Sequence, residues 1–507
     1  MFKATFDSLY GYECPDWFRD AKFGIWSHWG PQSVPMCGDW YARNMYIQDS
    51  PQYLYHLRHY GHPSKFGYKD LCALWKAERF DPEGLMDLYY KAGARYFVAQ
   101  AMHHDHFFNY DSKFNRMNST KVGPMKDICA LWHKAAKRYD LPFGLTEHLG
   151  ATFSWWKVNK WSDAYGPYAG VPYDGNDPEY RDFYMDNYEH AGDLNTASSP
   201  WYTKNEKHHA YWLSVFKEMV DSFAPELVYS DGSLPFGDHW HTGDQGTGAG
   251  DGDSAYKYGL EAVAYLYNAS IGKNGKNNAV YLQKDRRPEI YSVGIVDIEK
   301  SQLPGIVDRP WHTDTCIGNW FYDAKMPFKK PGHIVEMIVD IVSKNGTMLL
   351  NILQLPDGSI DDEAKFILDE LAAWFGVCSE GLYGTRPYKV FGEGSAKVLI
   401  EGFREERTAW GFDDFRYTAK GNHVYAFVMD ADAGKAGSGG VRQGGGAGQG
   451  GGTYVLRSLA DERVKGVWLL DGAGGRPVEF AQNFGVLTVK LPPELPVKFA
   501  NCLKIEV

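Results

Sequence analysis

Eight short apolar runs in this chain each stop at a polar residue able to do chemistry, and no other feature narrows its fold as far. AKFGIWSH ends at His28, RYFVAQAMHHDH at His103 to His106, and PFGLTEH at Glu147 and His148. PELVYSD ends at Asp231, AVYLQKDR at Asp285 and Arg286, and SVGIVDIE at Glu299. RPWHTD ends at Asp314, and TMLLNI carries Asn351. A short apolar run bounded by polar or turn residues reads as a strand buried on both faces. Eight of them, mostly separated by helical patterns, predict an irregular (β/α)8 barrel. In that fold the chemistry gathers at the C-terminal ends of the strands.

The helical patterns fall at 81–93, 126–139, 208–223, 254–270 and 332–346. The last three repeat their apolar residues near every 3.6 positions and stop at Asn, Gly or Pro. The segment from about 30 to 80 is too long for a simple βα loop and predicts an insertion at the barrel rim, as does 150–207. GDQGTGAGDGD (243–253) reads as a flexible loop. Beyond about residue 385 the texture changes to short alternating runs such as HVYAFVMD and KGVWLLDG, the pattern of an antiparallel β-sandwich. The expected division is a barrel over 1–385 and a sandwich over 386–507. Within the latter, the glycine tract 436–452 cannot bury enough apolar surface to offset its entropy and reads as a disordered hairpin loop.

A formal net charge of −11 argues against nucleic acid and anionic membranes as partners. The seven cysteines are dispersed, without a CxxC, which argues against a disulfide framework or a zinc knuckle. No apolar stretch approaches the ~18 residues of a membrane span. The N-terminus lacks a basic region followed by an apolar one, so the expected location is the cytoplasm; a chain trimmed of a secretory signal would read the same. Aromatics make up 16% of the residues, enough to line a sugar site with ring faces and equally suited to filling a core.

Asp231 and Glu299 close strands two apart in the predicted barrel. Neighbouring strand ends lie ~5 Å apart, so these side chains can converge across the mouth. Two carboxylates flanking one bond suit glycoside hydrolysis, one attacking the anomeric carbon and the other protonating the leaving oxygen. Either could instead hold an arginine or cap a helix. His104 and His106, two apart on a strand, would share a face as the metal-binding histidines of amidohydrolase barrels do. That class carries the pair on its first strand and an aspartate on its last, whereas here the pair is on the second strand and the last offers Asn351. Hydrogen bonding by His103 and His104 to a neutral polyol is the better fit, and no metal or organic cofactor is expected. No nucleophile elbow, GxGxxG or P-loop is present in a strand-to-helix context.

Seven segments in order carry a specific resemblance: FRDAKFGIWSHWGPQSVP (18–35), GDWYARNMY (38–46), AMHHDHFFNYDSKFN (101–115), LVYSDG (227–232), WHTDTCIGNWFY (311–322), DIVSKNGTMLLNI (340–352) and GLYGTRPY (381–388). Together they resemble glycoside hydrolase family 29, the α-L-fucosidases, from about residue 15 to 390, and the trailing sandwich is similar to that family's C-terminal domain. The resemblance implies a retaining exo-glycosidase that removes terminal α-L-fucosyl groups by double displacement. It implies Asp231 as nucleophile and an acid/base glutamate between Arg286 and Trp311. Glu289 and Glu299 both fall in that bracket; Glu299 closes a strand and is the expected residue. The implied sugar-binding set is His28, Trp40, His103, His104 and Arg286, with Trp26 and Trp320 against the C6 methyl, whose burial is worth roughly 1 kcal/mol.

Three positions depart from the family pattern. Asp39 stands where a longer glutamate is common, His106 where a glycine often sits, and Thr146-Glu147-His148 where many relatives have tyrosine. Asp39 and Glu147 are therefore further candidate sugar ligands. The expected partner is a fucosylated oligosaccharide or glycoconjugate, and the sequence is compatible with a homo-oligomer. The alternatives are a glycosidase acting on another L-galacto-configured sugar, or a fucose-binding relative without catalysis.

Overall fold

All eight runs form strands, buried at nearly every position, because each is flanked by a neighbour on both sides and covered on both faces. The computed structural model describes residues 1–187, 201–237, 252–400, 405, 407–429 and 452–507. The strands are β1 (Phe23–Ser27), β2 (Phe97–Gln100), β3 (Phe143–Glu147), β4 (Leu227–Ser230), β5 (Val280–Gln283), β6 (Ile295–Val296), β7 (Trp311–Cys316) and β8 (Gly346–Asn351). All pair in parallel, in the order β6-β5-β4-β3-β2-β1-β8-β7. Ile25 of β1 lies beside Phe97 on one side and Leu350 on the other. The ring closes between β6 and β7 by a single bridge, Asp297 to His312, reinforced by backbone bonds from Ile298 N–H to His312 C=O and from Lys300 N–H to Asp314 C=O, both 2.9 Å.

Helices Pro82–Lys91, Ile128–Lys137, Glu206–Phe223, Lys257–Asn274 and Pro331–Ser343 cover the barrel, each within four residues of its predicted ends. Side-chain caps fix several starts. Asp127 accepts from Ala130 N–H, and Asn205 accepts from the N–H groups of Lys207 and His208. The irregularity lies between β6 and β7, where residues 297–310 contain no helix.

The two rim insertions pack on each other. The first carries helices Tyr41–Asn44, Pro51–His59 and Tyr68–Leu74. Tyr46 and Tyr184 both donate to Asp174 at 2.6 Å, while Tyr53 and Tyr173 both donate to Asp163 at 2.6 Å, so a half-buried and a buried carboxylate knit the insertions together. Residues 188–200 of the second insertion, most of the loop 243–253 and nearly all of the glycine tract 436–452 lie outside the described residues.

The antiparallel part begins with β9 (Arg386–Glu393) and continues through β10 (Phe415–Lys420), β11 (His423–Val428), β12 (Gly452–Leu456), β13 (Gly466–Leu469), β14 (Arg476–Pro477), β15 (Glu479–Asn483), β16 (Val486–Leu491) and β17 (Asn501–Glu506). These form a six-stranded sheet, β14-β13-β17-β11-β10-β9, and a three-stranded sheet, β12-β16-β15, around their own apolar core. The helix Pro331–Ser343 is apolar almost all round because it lies between barrel and sandwich. Asp340 on it is buried and pairs with Lys344 at 2.7 Å and with Arg416 of β10. All seven cysteines are unpaired. Among the described residues no helix is long and apolar enough to cross a membrane.

Candidate active site

The strand ends converge on Asp231. It follows β4, and its backbone N–H bonds to the Glu147 carbonyl, so it continues the sheet by one residue. Gly232 then turns with φ +116°; a Cβ there would stand 2.4 Å from the Tyr202 hydroxyl. Asp231 Oδ1 accepts from Lys284 Nζ at 2.6 Å and from the Tyr229 hydroxyl at 3.2 Å. Its Oδ2 lies 3.1 Å from His104 Nε2 and 3.4 Å from His148 Nδ1. Lys284 Nζ also contacts Glu299 Oε2, and the Trp320 indole N–H donates to Glu299 Oε1 at 3.0 Å. Asp231 and Glu299 thus share one ammonium nitrogen and stand side by side at the mouth of the barrel.

Burial alone would raise the Asp231 carboxyl, but the Lys284 ammonium and hydrogen bonds from His104 and His148 outweigh it and hold Asp231 well below the usual carboxylate range. Burial likewise opposes the charge on Lys284, and Asp231 and Glu299 overcome it, raising the ammonium well above its ordinary value. Beneath this trio lie two more acids. Burial pushes Asp297 up to about 7 and Asp314 well above its usual range, the latter helped by Asp297. His312 Nδ1 lies 2.6 Å from Asp297.

Around the pair stand imidazoles and indoles. Burial lowers His28 and His103 well below the ordinary histidine range, and His148 to about 4, so these rings are neutral near pH 7 and each offers one donor and one acceptor. The rings of His28 and His103 are 5.0 Å apart, and those of His103 and His148 4.6 Å. Trp26 packs on His28, His148 and Trp320. Trp40, held at φ +59°, faces the edge of His104 at 6.1 Å. Trp26 Nε1, His28 Nδ1, His148 Nε2 and Asp39 Oδ1 are buried with no hydrogen-bond partner among the described residues. Buried polar groups are ordinarily satisfied, so a set of four beside a carboxylate pair marks a site for a hydroxyl-rich ligand. Burial pushes Asp39 up to about 7, with His104 and Glu299 in its electrostatic reach.

The structure thus brings together His28, Trp26, Trp40, Asp39, His103, His104, Asp231, Glu299 and Trp320, and corrects several expectations. Glu147 turns away from the cluster: one oxygen accepts from Leu149 N–H at 2.9 Å and from the Trp212 indole at 3.0 Å, so it braces the strand end and His148 faces Asp231 instead. Arg286 is exposed; the residue that reaches both carboxylates is Lys284, while Asp285 is tied to Ser233 and Arg287. Trp320 grips Glu299 through its N–H besides offering a ring face. Glu289 is exposed in the short helix Pro288–Tyr291, and its carbonyl accepts from Tyr10. His104 and His106 do not share a strand face, because β2 ends at Gln100; His106 bonds to the Phe183 carbonyl and the Tyr211 hydroxyl, both at 2.8 Å. Lys284 went unremarked in the sequence. The signal was a lysine closing a strand that is otherwise buried, a residue rarely placed there without a partner.

Among the described residues two groups lie close enough to hold a cation by proximity, His28 with His103 and His148, and His104 with His148 and Asp231. Their surroundings fit one poorly. Gln32 Oε1 accepts from Ala42 N–H, which leaves its Nε2 to donate to His103 Nδ1 and puts the proton of the neutral ring on Nε2. Asp231 already has the Lys284 ammonium. Chelation with EDTA is therefore expected to leave hydrolysis unchanged. Activity lost on chelation and regained with zinc would overturn that.

The family model described as "Alpha-L-fucosidase" matches residues 1–380. The tissue alpha-L-fucosidase of Rattus norvegicus is 26% identical over 426 residues, covering 82% of this chain and 76% of the rat protein. The alpha-L-fucosidase of Branchiostoma floridae is 24% identical over 450 residues, covering 85% and 82%. Among solved structures, the Thermotoga maritima alpha-fucosidase in complex with fucose superposes with a TM-score of 0.70 at 23% identity, covering 100% of both chains, and shares the fold.

Proposed function

The chain belongs to the alpha-L-fucosidase family, and from that premise we propose that it removes terminal α-L-fucosyl groups from oligosaccharides or glycoconjugates with net retention, using Asp231 and Glu299. The observation that carries this reading is the pair of carboxylates that share one ammonium at the barrel rim, ringed by buried polar atoms without partners among the described residues. Asp231, anionic and aimed by Tyr229 and His104, attacks C1. Glu299 delivers a proton to the glycosidic oxygen as the C1–O bond breaks, leaving a fucosyl ester on Asp231. Glu299 then takes a proton from water, which attacks C1 and frees the nucleophile. The neutral rings of His28, His103 and His148 donate to and accept from the sugar hydroxyls, and Trp26 and Trp320 give the C6 methyl an apolar wall.

The test is hydrolysis of an aryl α-L-fucoside followed by NMR, with the matching α-L-galactoside alongside. The first-formed sugar is expected to be α-L-fucose, which later mutarotates, and the galactoside, carrying a C6 hydroxyl, to be the poorer substrate. β-L-Fucose appearing first would refute retention. Equal cleavage of the galactoside would widen the substrate to L-galacto-configured sugars.

A further inference from the structure

The reaction requires a glycosidic oxygen between nucleophile and acid/base, and in the free protein that position holds the Lys284 ammonium, 2.6 Å from Asp231 Oδ1 and in contact with Glu299 Oε2. The side chain is 11% exposed, and its Nζ lies 5.6 Å from the centre of the Tyr229 ring. We propose that Lys284 is a positioning residue of the reaction, which holds Asp231 and Glu299 together as anions in the free enzyme and withdraws from Glu299 toward Asp297 and Asp314 when a glycosidic oxygen takes its place. This rests on the assignment of Asp231 and Glu299 as the catalytic pair.

Three observations support it. Asp297 and Asp314 share a hydrogen bond with each other, and among the described residues no amide, hydroxyl or ammonium donor reaches either oxygen of Asp314 or Oδ2 of Asp297, so a destination for the ammonium is built in. Both acids already act on Lys284 electrostatically. The barrel also supplies no other cation that contacts both carboxylates among the described residues: Lys300 lies over the Trp320 ring, 4.8 Å from its centre, and Arg286 is exposed. The proton balance follows. The ammonium and the glycosidic oxygen compete for Glu299 Oε2, so the acid step needs the lysine to withdraw. Once the lysine withdraws, Glu299 takes one proton from solvent and passes it to the leaving oxygen, and the water of the second step returns one.

The groups facing the trio are fixed by other elements. His28, His104 and His148 face Asp231 from the ends of β1, β2 and β3, and Tyr229 from β4. Asp39 and Lys300 face Glu299, and Asp297 and Asp314 face Lys284. All of these remain when only Lys284 is changed, so the test isolates its charge.

The experiment is the pH profile of kcat and kcat/KM on an aryl α-L-fucoside, using the full chain with Lys284→Met, Lys284→Gln and Lys284→Arg. Removing a cation beside two carboxylates raises the proton affinity of both. In kcat/KM, which reports the free enzyme, both limbs are therefore expected to move up by about 1–3 pH units in the Met and Gln variants and to stay in place in the Arg variant, while in kcat the basic limb, set after the lysine has withdrawn from Glu299, should move less. Limb positions are read on whatever fraction folds, so a loss of amplitude does not blur them, and Gln gives a polar replacement should Met fold poorly. Limbs unmoved in Met and Gln, or moved equally in Arg, would overturn the proposal. Asp231→Ala is assayed in parallel. Activity surviving there would sink the catalytic pair itself, whereas a dead Asp231→Ala with unmoved limbs would sink the lysine alone.

Discussion

Asp231→Ala is expected to lose on the order of 10³-fold or more in kcat while the protein still folds and binds fucose, because covalent catalysis vanishes and the pocket walls remain. Asp231 supplies no apolar packing. What it supplies is an anion that three neighbours, Lys284, His104 and Tyr229, have been arranged to hold. Its removal leaves Lys284 on Glu299, still paired. Azide offers a sharper readout with Asp231→Gly. Entering from the face the nucleophile has left, it should form β-fucosyl azide in one inverting step. A variant that keeps a tenth of the wild-type rate would refute the assignment.

Glu299→Ala should give the second large effect, and one that depends on the leaving group. A general acid matters most when the departing oxygen is a poor leaving group. Natural fucosyl linkages should be cleaved very slowly, whereas an activated aryl fucoside should still fucosylate Asp231. The second step then limits, since no base activates water. Azide needs no base, so it should restore turnover and give α-fucosyl azide, with the configuration of the substrate after two inversions. Glu289→Ala, whose side chain is exposed in the short helix Pro288–Tyr291, should behave like wild type. The opposite pattern, with Glu289→Ala rescued by azide and Glu299→Ala normal, would transfer the acid/base role to Glu289.

The barrel was legible because parallel strands buried on both faces must be written as unbroken apolar runs, and each run ends where the chain emerges from the sheet. Asp231 and Glu299 could be picked out for the same reason. What the runs do not carry is parity beyond the strand. Glu147 and His148 are consecutive, and which of them faces the mouth depends on a backbone turn that begins at the end of β3. The same holds for Lys284 and Arg286, since the alternation of β5 stops at Gln283. His106 deceived for a related reason: its spacing from His104 means a shared face only within a strand, and β2 had already ended. The missing helix between β6 and β7 left no trace in the periodicity, because a two-residue strand is shorter than any pattern that could announce it.

The buried Asp340, held by Lys344 from its own chain segment and by Arg416 from β10, bears on what the C-terminal sheets are for. Cutting them away would strip Arg416 from it and leave Asp340 to Lys344 and water. It would also uncover a helix that is apolar on nearly every face. To the eye, barrel and sandwich are two architectures. In free energy they are one object, and the sandwich is the wall against which the last helix before β8 is allowed to be oily. Catalysis at the far rim thus leans on strands that never approach the sugar, through the helix that sets where β8, and with it Asn351 and the backbone of His28, comes to rest.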